Sequence, residues 1–130
     1  MHDIVLKNIA VGDVRSDIYI DGDMISRIVK TGDEACPEAR ETVDCTGKAA
    51  MPGFINMHTH AAMSLLRGVG EDIAFHEWLA KVWEIEANLD EEFVYWGTKV
   101  ACLEMIKTGT TTFNDHYWFP LVGHRAAVEM

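Results

Sequence analysis

Pro52-Gly53-Phe54-Ile55-Asn56-Met57-His58-Thr59-His60 reads as a tight turn, a short apolar strand and then two histidines two residues apart. In a strand, residues i and i+2 point to one face, so His58 and His60 project together while Thr59 points away. Neutral imidazoles on one face can converge on a divalent ion such as Zn²⁺ or Fe²⁺. The pair is also compatible with two surface histidines at a strand end. A catalytic metal site normally needs at least three protein ligands plus an open position, so two histidines alone leave it incomplete.

Downstream of this strand the pattern turns helical. Phe75 to Glu86 carries Phe75, Leu79 and Val82 on one face, with Trp78 and Ile85 beside it. A second helix begins at Asp90, a good N-cap, with Glu91 and Glu92 at the positive end of its dipole. Its expected apolar face is Phe93, Trp96, Val100 and Leu103, and Lys107 and Gly109 close it. Thr110-Thr111-Thr112-Phe113-Asn114 is a β-branched strand, and after Trp118-Phe119-Pro120 another helix starts near Val122. Strand, helix, strand, helix is the order of an α/β fold with a parallel sheet.

Upstream, the chain reads as short strands and turns. Ile4-Val5-Leu6 and Asp17-Ile18-Tyr19-Ile20 are compact apolar runs, and Asp21-Gly22-Asp23 leads into Met24-Ile25-Ser26-Arg27-Ile28-Val29 as a β-hairpin. A polar loop from Thr31 to Arg40 precedes Thr42-Val43-Asp44-Cys45 and the turn Thr46-Gly47-Lys48. The expectation is a small antiparallel sheet over residues 1–50 and the beginning of a parallel α/β domain over 51–130. Two strands are too few to close a barrel, and the N-terminal sheet has no partner sheet within the chain.

Bulk properties remove several function classes. A net charge of −10 opposes nucleic-acid binding, which needs clustered Lys and Arg, and adhesion to anionic membranes. Met1-His2-Asp3-Ile4-Val5-Leu6-Lys7 has neither the basic nor the apolar region of a signal peptide, and no apolar run approaches a membrane span. Cys36, Cys45 and Cys102 are odd in number and far from CxxC spacing, which fits free thiols in a reducing cytoplasm.

The stretches GKAAMPGFINMHTHAAMSLLRG, FHEWL, WEIEANL, EMIKTGTTTFND and YWFP resemble the amidohydrolase superfamily. Within it they are most similar to the branch deaminating methylthioadenosine, S-adenosylhomocysteine and 5′-deoxyadenosine. The likeness runs over essentially the whole chain but covers only the N-terminal third of such a protein. It implies a (β/α)₈ TIM barrel beside a small β-sandwich built from both chain ends. His58 and His60 match its first two metal ligands, for one divalent ion, Zn²⁺ or alternatively Fe²⁺. Glu86 matches a carboxylate that hydrogen-bonds ribose hydroxyls, and Trp78 an aromatic residue lining the nucleoside pocket. His116 stands where many relatives have Met.

The resemblance places a third His, an Asp and the proton-shuttling Glu beyond Met130. The chain therefore holds no catalytic acid or base of its own, and the 130-residue polypeptide alone is expected to be inactive. The implied reaction is hydrolytic: water displaces the amine at C6 of the adenine ring and ammonia leaves. A homo-oligomeric full-length protein with a small nucleoside substrate is implied as well. The alternatives are a guanine, cytosine or triazine hydrolase of the same superfamily, or a non-catalytic fragment.

Other polar candidates have plainer readings. His116, at a strand's C-terminal end, faces either a pocket mouth or an ordinary loop. Asp115 either supports a neighbouring ligand or caps the segment that follows it. His76 and His124 fit solvated helix positions, Trp78, Trp83 and Trp96 fit a core from their spacing alone, and Cys102 fits a small core residue.

Overall fold

A computed structural model describes residues 1–33 and 37–130, so Cys36 and part of the Thr31–Arg40 loop lie outside the described residues. The chain divides into two compact units, Met1–Pro52 and Gly53–Met130. Among the described residues, no helix is long and apolar enough to cross a membrane.

The first unit is a sheet of β1 (His2–Val11), β2 (Val14–Asp21), β3 (Met24–Lys30), β4 (Ala39–Asp44) and β5 (Ala49–Ala50). The hairpin at Asp21-Gly22-Asp23 forms as expected. Gly22 takes a φ of +60°, a conformation that penalises a side chain with a Cβ. The sheet as a whole is mixed rather than antiparallel. Its order is β3-β2-β1-β4, with β4 and β5 both parallel to β1. Two antiparallel steps make β3 run in the same direction as β1. A strand that joins β1 in parallel is therefore reached from β3 by a crossover, which local turn signals do not reveal.

Ile9, Ile18 and Cys45 form the core of this unit, flanked by Leu6, Val11, Ile20, Val43 and Ala50. The β1–β2 register shifts between Leu6 and Ile9. There Asn8 turns to a φ of +57° and its backbone N–H donates to the Asp17 carboxylate at 2.9 Å. The Thr31 hydroxyl donates to the same Asp17 oxygen at 2.8 Å, so this carboxylate, only 6% exposed, is paired on arrival in the core.

The second unit runs β6 (Phe54–Thr59), a 3₁₀ helix (Ala61–Leu66), α1 (Phe75–Glu86), α2 (Glu91–Thr108), β7 (Thr110–Asp115) and α3 (Pro120–Val128). β6 and β7 are parallel neighbours, as the strand–helix order requires. Asp90 caps α2 by accepting from Phe93 N–H at 2.8 Å, and Gly109 ends it at a φ of +87°.

The buried side of α2 is not the expected one. Val94, Gly97, Thr98, Ala101 and Cys102 are buried, whereas Trp96, Val100 and Leu103 are exposed. Close backbone approach decides the rotation. A Cβ on Gly97 would lie 2.6 Å from the Ala62 carbonyl oxygen and 2.8 Å from its Cα. The small residues of α2 thus seat the helix directly on the 3₁₀ segment, and the bulky stripe is turned outward. Two further core expectations fail with it: Trp83 is 61% exposed and so is Phe75, at 64%.

Candidate active site

β6 delivers its two histidines through an irregular end. The β6–β7 register slips between Asn56 and Thr59. Side-chain amides fill the gap: Asn114 Nδ2 donates to the Met57 carbonyl at 3.2 Å, and His58 N–H donates to Asn56 Oδ1 at 3.2 Å. Such bulges re-aim the side chains around them. The His58 and His60 rings nevertheless come together, with centroids 5.0 Å apart in an edge-on arrangement.

His60 is fixed in its tautomer. Its Nδ1 bonds the backbone carbonyl of His116 at 2.5 Å. A carbonyl only accepts, so Nδ1 carries the proton and Nε2 of the neutral ring keeps its lone pair. That is the state in which a histidine ligates a metal through Nε2. The donor chemistry therefore fits Zn²⁺. Among the described residues no group of three or more His, Cys, Asp or Glu side chains could hold an ion, so these two supply part of a ligand set.

Beside this pair lies a concave pocket of about 460 Å³. His60, Trp78, Glu86 and His116 all line it, so that of the residues matched to metal or substrate only His58 is absent from its lining. Glu86, a helix-surface residue by periodicity alone, is half-buried at the end of α1. His116 and Trp118 are exposed at the β7 end of the pocket. His76 and His124 are exposed outside it.

Trp83, Tyr117 and Trp118 also line the pocket, and sequence reasoning did not assign them there. For two of them the signal was the run Tyr117-Trp118, one residue beyond the end of β7, whereas Trp83 on α1 carried none. Phe119, at a φ of +50°, turns the chain sharply behind them into α3, which begins with Pro120. The Tyr117 hydroxyl is buried and makes no well-formed hydrogen bond among the described residues. Burial pushes its phenol far above the usual range, and the nearby Glu86 and Asp115 carboxylates add to the shift. Tyr117 is thus a neutral hydroxyl at physiological pH. Four aromatic walls, one carboxylate and two imidazoles suit a planar heteroaromatic ring carrying hydroxyl groups.

Residues 49–129 match the Amidohydrolase family. The chain belongs to this family. Among curated relatives, this amidohydrolase chain is 48% identical to a 5′-deoxyadenosine deaminase of Methanocaldococcus jannaschii, across 97% of the chain and 30% of that protein. It is 46% identical to a 5-methylthioadenosine/S-adenosylhomocysteine deaminase of Archaeoglobus fulgidus, again across 97% of the chain and 30% of the relative. It also resembles the crystal structure of an adenosine deaminase from Xanthomonas campestris with bound zinc. There the TM-score is 0.85 at 30% identity, covering 98% of the chain and 32% of that protein. The amidohydrolase chain thus spans about a third of the length of the relatives it matches.

Proposed function

We propose that the full-length protein carrying this chain is a zinc-dependent hydrolytic deaminase of adenosine-type nucleosides. In this reading residues 51–130 are the first strands and helices of a (β/α)₈ barrel, and residues 1–50 are strands of a small β-sandwich. The observation that carries it is the gathering of His60, Trp78, Glu86 and His116 around one aromatic pocket, with His58 beside His60. Catalytic groups of parallel barrels sit at strand C-terminal ends, where both histidines and His116 stand. The names of the similar proteins point to 5′-deoxyadenosine, methylthioadenosine and S-adenosylhomocysteine as substrates.

His58 and His60 would hold the ion together with ligands from outside this chain. When bound, the ion supplies Lewis-acid activation of water near neutral pH. Trp78, Trp83 and Trp118 enclose the flat base and exclude bulk water from it. Glu86 accepts hydrogen bonds from two ribose hydroxyls, a task for which an ionised carboxylate has enough lone pairs. Tyr117 lines the same pocket and keeps its hydroxyl neutral near Glu86.

The test is incubation of the full-length, zinc-loaded protein with each of the three nucleosides, following ammonia release. Deamination of at least one is expected, and none by residues 1–130 alone. Glu86→Ala is expected to raise KM by about 10- to 100-fold, the equivalent of losing charged hydrogen bonds worth about 1.5–3 kcal/mol. Absence of turnover with all three, or an unchanged KM in Glu86→Ala, rejects the reading.

A further inference from the structure

We propose that the C-terminal end of β7, namely the Asp115 side chain and the His116 main chain, is the positioning element for the ligand His60. Three bonds converge on the residues around His60 from this one dipeptide. The His116 N–H donates to the Thr59 carbonyl at 3.0 Å, on the residue before the ligand. The His116 carbonyl accepts from His60 Nδ1. Asp115 Oδ1 accepts from the Ala61 N–H at 2.8 Å, on the residue after it.

The Asp115 bond differs from the cap expected for it. The carboxylate takes the first N–H of the 3₁₀ helix that begins at Ala61, more than fifty residues away in sequence, and not one in the segment that follows it. His60 itself stands at that helix's N-cap position without a side-chain capping bond. Asp115 therefore supplies the missing cap and leaves the imidazole free. The 3₁₀ helix is also clamped from behind, because Ala62 is fully buried against Gly97 and Ser64 Oγ donates to the Gly97 carbonyl at 2.8 Å.

A ligand held by its neighbour on each side and at its own Nδ1 has one direction left for Nε2. Partners of this kind, which bond a ligand instead of the metal, typically change metal affinity by about 10- to 100-fold. His116 then acts through its carbonyl, and the identity of its side chain is open to variation. Neither residue touches the ion in this scheme.

The proposal rests on His60 being a metal ligand, and the experiment separates the two claims. Zinc affinity is measured on the full-length protein by competition with a chelator, for the parent, Asp115→Ala, Asp115→Asn and His60→Ala. The His60 tautomer is read from long-range ¹H–¹⁵N spectra of the same variants. Asp115→Ala is expected to lose about 10- to 100-fold in zinc affinity and to mix the tautomers. Asp115→Asn, whose Oδ1 still accepts from Ala61, is expected to stay within about threefold of the parent, on the scale of a retained hydrogen bond.

Asp115→Ser, too short to reach the Ala61 N–H, carries the same expectation if the alanine variant does not fold. Asp17→Ala, which destabilises the first unit, should leave zinc affinity unchanged and so controls for general loss of stability. If His60→Ala abolishes tight zinc binding while Asp115→Ala and Asp115→Ser keep parental affinity and the Nδ1–H tautomer, the positioning role is overturned. If His60→Ala itself binds zinc as the parent does, the ligand role falls and takes the proposal with it.

Discussion

Buried side-chain oxygens are treated in opposite ways in the two units. Asp17 in the first unit receives the Asn8 N–H and the Thr31 hydroxyl at 2.9 and 2.8 Å. Tyr117 in the second unit has a buried hydroxyl with no such partner among the described residues, and so does Thr98. A buried polar group left unpaired costs about 1–3 kcal/mol, so a fold tolerates it only where something else is gained. In the first unit polar side chains complete the sheet. In the second, Tyr117 serves as a wall of the pocket instead.

That contrast can be broken at its strongest point by Asp17→Ala. It strips two donors of a charged acceptor and should destabilise the chain by about 3 kcal/mol, read as a lower urea midpoint at unchanged slope. A loss as small as that of an exposed Asp would end the comparison. Gly97→Ala comes next. In an ordinary helix interior the change stabilises by about 1 kcal/mol, but the Cβ would strike the Ala62 backbone, so destabilisation of about 2 kcal/mol is expected. A stabilised variant would show that the seat of α2 on the 3₁₀ helix is loose. Thr98→Val should have the smallest effect and the opposite sign. It replaces an unpaired buried hydroxyl with a methyl, and thermal melting is expected to show neutrality or a gain of up to about 1 kcal/mol.

Much of the local structure is readable because its causes are local. The Asp90 cap, the Gly109 stop and the Asp21-Gly22-Asp23 hairpin each depend on residues within one turn of themselves. α1 spans Phe75–Glu86, the bounds its periodicity predicts. The face that α2 buries is a different matter. Hydrophobicity favours Trp96, Val100 and Leu103, but the helix packs through Gly97 because Ala62 lies there, and that neighbour is invisible to periodicity. The parallel placement of β4 is hidden for the same reason, since strand order is a long-range property.

The candidate site divides along the same line. Strand geometry gives His58 and His60 a common direction, and the family resemblance matches them to metal ligands and singles out Trp78 and Glu86. Asp115 carries no sign in the sequence that its carboxylate reaches Ala61, and His116 meets His60 through its backbone carbonyl, which every residue type possesses.

By itself the sequence determined the residue types: two imidazoles at a strand end, a carboxylate closing a helix, and the caps and turns between them. Those follow from side-chain chemistry and from steric preferences within a few residues. Only the tertiary structure decided which nitrogen of His60 is free, which face of α2 is buried and which aromatics wall the pocket. Each of these is set by an atom brought close from a distant part of the chain.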